Sequence, residues 1–94
     1  MHKPLRALLR EAEAILPDAE PLTSENVCTR AAFREFLEHQ EFELAMEQLE
    51  GLGESYGREL PVYYWELLLA CAKLMKLDNH SAYYERQIQS YLNA

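Results

Sequence analysis

Residues 61–77 read PVYYWELLLACAKLMKL, and between Val62 and Met75 only Glu66 and Lys73 carry charge. A helix built from this run is apolar on almost every side, which suits either a membrane span or the centre of a helical bundle. A bilayer needs roughly 20 apolar residues, and this stretch is shorter and twice interrupted by charge. It is therefore read as the buried core helix of a soluble domain. Trp65, Leu68, Leu69, Ala72 and Met75 line one side of it, and Tyr64, Leu67, Cys71 and Leu74 the other, so neighbours are expected on both. Pro61 is suited to the first helical position.

Working outward, Leu77-Asp78-Asn79-His80-Ser81 reads as a short turn with cap residues into a last helix, in which Tyr84, Ile88, Tyr91 and Leu92 recur at spacings of 4 and 3. On the N-terminal side, GREL is a polar link. Before it, Phe42, Ala45, Met46, Leu49, Leu52 and Tyr56 make one stripe, although Gly51 and Gly53 lower helix propensity by about 1 kcal/mol each. That helix is expected to fray or end between Gly51 and Gly57. The stripe shifts phase at His39-Gln40, which places a tight turn between it and a preceding helix carrying Val27, Cys28, Ala31, Ala32, Phe36 and Leu37, with Phe33 broadening the face. The two form a helical hairpin. Thr23, Ser24 or Asn26 can cap the earlier helix, with Glu25 near its positive end. At the start of the chain, Pro4 opens a helix whose stripe is Leu5, Leu8, Leu9, Ala12, Ile15 and Leu16, and Pro17 ends it.

No segment alternates apolar and polar residues over strand length, so the fold class is all-α: a bundle of about five helices around the central one. Ninety-four residues make one domain, 1–94, able to bury a core without metal or disulfide support. The N-terminus mixes charge with leucine and shows no h-region, so no signal peptide is read and the cytoplasm is the expected location. In that reducing compartment Cys28 and Cys71 are expected to be buried thiols rather than a disulfide.

The formal charge of -7 argues against nucleic acid or an anionic membrane and towards a cationic protein partner. Residues 35–66 contain Glu35, Glu38, Glu41, Glu43, Glu47, Glu50, Glu54, Glu59 and Glu66. Glu43, Glu47, Glu50 and Glu54, spaced 4, 3 and 4, fall on one outer helix face, where like charges destabilise an isolated helix by a few tenths of a kcal/mol per pair. Such a face serves either binding or solubility. Tyr63-Tyr64 and Tyr83-Tyr84 each open a helix about 100° apart around its axis. One of each pair, Tyr63 and Tyr83, is expected at the surface as a possible anchor for a partner. The partner-binding set is thus Glu35, Glu38, Glu43, Glu47, Glu50, Glu54, Tyr63, Glu66 and Tyr83.

Chemistry is less visible. Glu35 and His39 have a spacing compatible with metal ligation, but a histidine at a helix C-terminus also suits the helix dipole, and that reading is preferred. His2 and His80 have no partner visible in sequence. Cys71 lies in the most apolar part of the chain, where a thiol is inert. With no phosphate loop, nucleophile–base pair or carboxylate pair, neither an enzyme nor a cofactor, metal or catalytic residue is expected.

EFLEHQEFELAMEQLEGLGE (35–54) followed by PVYYWELLLACAKLMKLD (61–78) resembles the small helical immunity proteins of bacterial polymorphic toxin systems, in particular the Maf-type immunity family. The resemblance rests on Phe36-Leu37-Glu38-His39, the turn Glu41-Phe42, the run of Leu44, Ala45, Glu47 and Leu49, and Ala72, Met75 and Leu77-Asp78. It implies a cytoplasmic antidote, monomeric or weakly dimeric, that binds a cognate, basic toxin domain and covers its active site. The alternative is a tetratricopeptide-like helical adaptor, since 35–53 also suits one such hairpin; a second copy near a 34-residue period is not apparent.

Overall fold

Residues 5–19 and 27–93 are described by a computed structural model. They form five α-helices and no strand: α1 (Leu5–Ile15), α2 (Arg30–Glu38), α3 (Phe42–Tyr56), α4 (Val62–Leu74) and α5 (Asp78–Leu92), with one 3-10 turn, Gly57–Glu59, between α3 and α4. The all-α architecture is as the periodicity requires. α4 packs on α5, α1 and α3, and α2 pairs with α3. Tyr64, Trp65, Leu67, Leu68, Cys71 and Ala72 of α4 are buried from both sides, so the run that opened the reading is the spine of the domain. Leu69 and Met75 are half-buried and Leu74 is largely exposed. No helix among the described residues is long and apolar enough to cross a membrane.

The two hairpins, α2–α3 and α4–α5, share one joint. After α2 the Glu41 N–H bonds the Phe36 carbonyl (2.9 Å) and the Gln40 N–H that of Leu37 (3.1 Å); after α4 the Leu77 N–H bonds Ala72 (2.9 Å) and the Lys76 N–H bonds Lys73 (3.1 Å). Both are Schellman closures, and each puts a non-glycine residue in the left-handed region, Gln40 at φ 60 and Lys76 at φ 59. This closure ends α4 at Leu74, three residues before the expected end at Leu77.

Other boundaries also move. α2 starts at Arg30 because Thr29 caps it, its hydroxyl accepting from the Ala32 N–H at 3.0 Å. Val27 therefore precedes the helix and is 94% exposed instead of sharing its apolar face. Pro61 is the N-cap of α4, in extended conformation, and Val62 takes the first helical position. The expected caps Thr23, Ser24 and Asn26, with Glu25, and the helix-opening Pro4 lie outside the described residues. α3 runs unbroken through Gly51 and Gly53 and ends at Tyr56 against Gly57, whose φ of +60 suits glycine. Gly53 is there for a close approach: a Cβ on it would stand 2.8 Å from Tyr64 Cε2 and 2.9 Å from the Trp65 ring. The link GREL is not wholly polar, since Leu60 is buried. It is pinned to α5 by Arg58 Nη2 donating to the Ser90 carbonyl (2.9 Å) and Tyr91 Oη to that of Leu60 (2.7 Å).

Candidate functional site

Because the two hairpins alternate direction, α3 and α5 run the same way, and their side chains meet in register. On α3 the row Glu43, Glu47, Glu50, Glu54 advances one turn at a time. On α5 His80, Tyr83 and Tyr84 share a face by their spacings of 3 and 4. Tyr84 Oη donates to Glu50 Oε1 (2.8 Å), Tyr83 Oη donates to Glu54, and His80 lies between Glu50, Glu47 and Glu43. The acidic row is thus one wall of an α3–α5 seam, not the free outer face expected of it. Phenol and imidazole partners offset the like-charge repulsion that an isolated helix would suffer.

An aromatic cluster supports this seam from below. Trp65 meets Tyr64 edge-on at 5.6 Å, Tyr83 edge-on at 6.2 Å and Tyr84 at 5.9 Å between centroids, and His80 stacks on Tyr84 at 6.1 Å. Burial, then the charge of Glu50 and its hydrogen bond, push the Tyr84 phenol above its ordinary range; burial and the bond to Glu54 do the same for Tyr83. Both phenols stay protonated donors, so they hold the carboxylates without cancelling their charge. Among the described residues no lysine or arginine stands within ion-pair distance of these four glutamates; Arg34 pairs with Glu13 and Lys73 with Glu85, and it is the His80 ring that stands within 4.0 Å of Glu43, Glu47 and Glu50.

The nine residues read as a binding set divide between separate places. Glu43, Glu47, Glu50, Glu54 and Tyr83 come together in the seam. Glu35 is exposed on α2, and Glu38 borders a groove with Arg6, Arg10 and Arg34, a basic neighbourhood. Tyr63 is 47% exposed, as expected, but its hydroxyl donates to Glu11 of α1. Glu66 borders an open groove between α4 and α5 with Leu69, Glu85 and Arg86. Neither Tyr63 nor Glu66 is among the partners of the acidic row.

His39 caps α2 with its Nδ1 2.9 Å from the Glu35 carbonyl, a contact that raises its pKa above 6.5 and fits the dipole reading. Cys28 and Cys71 are free thiols, and burial pushes Cys71 up to about 12, far from a nucleophile. The residue that sequence reasoning missed is His80. Glu43, Glu47 and His80 offer ligand atoms all within 4.8 Å of one another. Each helix shows its half of the signal, Glu43, Glu47, Glu50 and Glu54 on one face of α3 and Tyr83 and Tyr84 three and four residues after His80 on α5, but joining the halves requires knowing that α3 and α5 are neighbours.

No family model, curated protein or solved structure matches the chain.

Proposed function

We propose that the protein is an immunity protein: it binds a cationic toxin domain and neutralises it by covering the toxin's functional surface with the α3–α5 seam. The observation that carries this reading is the row Glu43, Glu47, Glu50 and Glu54, of which Glu50 and Glu54 are held by neutral phenols of α5 and which lacks Lys or Arg partners among the described residues. A row built for solubility alone needs no such fixing. Here two carboxylates are oriented by tyrosines whose rings reach down to Trp65. Fixed charges of one sign speed capture of an oppositely charged partner and reject like-charged ones, while a half-buried aromatic such as Tyr83 supplies apolar contact at the centre. The resemblance of 35–54 and 61–78 to Maf-type immunity proteins points the same way, with the cytoplasm as the site of action and a monomer or weak dimer as the acting species.

The test starts from the gene's neighbour. A toxin domain encoded beside it should be captured by the purified protein and lose its toxicity on co-expression. Glu43→Lys and Glu54→Lys, at exposed positions of the seam, should weaken that capture together and flatten its salt dependence. Unchanged affinity and salt dependence would rule out the acidic surface.

One observation favours a helical-repeat adaptor as the second reading. The Schellman joints at Gln40 and Lys76 recur 36 residues apart, so the chain carries two hairpins of one design. Binding of extended peptides rather than a folded basic domain would select it.

A further inference from the structure

We propose that Glu43, Glu47 and His80 form a binding site for a divalent first-row transition metal ion, of which Zn2+ is the reference case, with Glu50 orienting the histidine. The argument begins with the two ring nitrogens of His80, both of which face carboxylates: Nδ1 is 3.3 Å from Glu50 Oε1, and Nε2 is 3.2 Å from Glu47 Oε2 and 3.9 Å from Glu43 Oε2. In the tautomer that donates Nδ1–H to Glu50, the Nε2 lone pair faces Glu47 and Glu43, and a cation placed there would take all three atoms as ligands.

Distance and donor type then select among cations. Tetrahedral Zn2+ with bonds of about 2.0–2.1 Å holds its ligand atoms about 3.3 Å apart. The Nε2–Glu47 separation of 3.2 Å already has that value, and the 3.9 Å to Glu43 needs a small rotation of a side chain that is 52% exposed. Imidazole among the donors disfavours Mg2+ and Ca2+, which take oxygen, and suits zinc and its transition-metal neighbours.

The Nδ1 side has the form of an outer shell. In metal sites a ligating histidine donates its other N–H to a carboxylate, which fixes tautomer and ring plane. Here Glu50 takes that place and is itself held by Tyr84 Oη at 2.8 Å, a side chain with no exposed surface. The chain Tyr84–Glu50–His80 therefore runs from the core to the proposed ion. Glu43 and Glu47 come from α3 and His80 from the first turn of α5, so the ion would staple the two hairpins, with a fourth position open to water. This inference stands on the site geometry and does not require the toxin-binding reading.

Titration of metal-stripped protein with Zn2+ at neutral pH tests it by calorimetry, together with the visible spectrum of the Co2+ form. One ion per chain is expected, with the absorption of tetrahedral cobalt. Glu50→Gln should weaken binding about 10–100-fold, the usual effect of losing an outer-shell carboxylate, and Glu47→Gln and His80→Ala should weaken it further. Glu43→Gln, at an exposed position, reads the same loss in a variant whose packing is untouched, while Glu35→Gln should bind as the parent does. Equal affinity in all variants, or no saturable uptake, would overturn the proposal. So would nitrogen NMR showing His80 protonated on both nitrogens and unmoved by Zn2+, since a proton would then be the cation that the site holds.

Discussion

Gly53→Ala sets helix propensity against packing. Alanine should gain about 1 kcal/mol in the middle of α3. The added Cβ, however, would stand 2.8 Å from Tyr64 Cε2 and 2.9 Å from Trp65 Cζ2 and Cη2. Ordinary carbon contacts lie near 3.5–4.0 Å, so the overlap is roughly 0.7 Å or more. Neither ring yields easily: Tyr64 and Trp65 are 0% and 2% exposed, and Tyr64 Oη is tied to the Leu49 carbonyl at 2.5 Å. Overpacking a core costs about 1–3 kcal/mol, and meeting two rings at once belongs in the upper part of that range. The net expectation is a loss of about 1–2 kcal/mol by urea denaturation, with Tm falling about 4–8 °C for each kcal/mol. A variant as stable as the parent, or more so, would mean that α3 and α4 do not approach as described.

Truncating the spine should be costlier: Trp65→Ala should lose about 3–5 kcal/mol and Leu68→Ala about 2–5 in the same assay, and a loss near zero would contradict the placement of α4. Gln40→Gly and Lys76→Gly should each stabilise by up to about 1 kcal/mol by relieving a left-handed residue, read as a raised urea midpoint. His39 should titrate above 6.5 by NMR, because its bond to the Glu35 carbonyl favours the charged ring. A raised folded pKa contributes stability that is fully present below the unfolded value and is lost as pH rises through the folded one. Wild type should therefore exceed His39→Ala in acid, with the gap closing on the alkaline side.

Helix number, order and the buried spine were legible in the sequence because each rests on local periodicity. That one tyrosine of each pair is buried follows from helical geometry: Tyr64 and Tyr84 are buried and Tyr63 is exposed, while Tyr83, expected at the surface, is half-buried against Trp65. Boundaries shifted where a single side chain decides them: Thr29 caps the start of α2, and Lys76 closed α4 early. The site was half legible. The spacing of Glu43, Glu47, Glu50 and Glu54 showed the row but not what faces it, since pairing with His80, Tyr83 and Tyr84 depends on how two hairpins dock. Gly53 read as a weak point in a helix for the same reason. Its purpose lies in Trp65, on another helix.

The central claim is that the α3–α5 seam captures a cationic toxin domain, and the salt dependence of affinity for the domain encoded beside the gene tests it most directly. Tight binding that weakens steeply with salt, and that Glu43→Lys and Glu54→Lys together reduce and flatten, is the predicted result. Binding that is indifferent to both salt and charge reversal, or no binding at all, would contradict it.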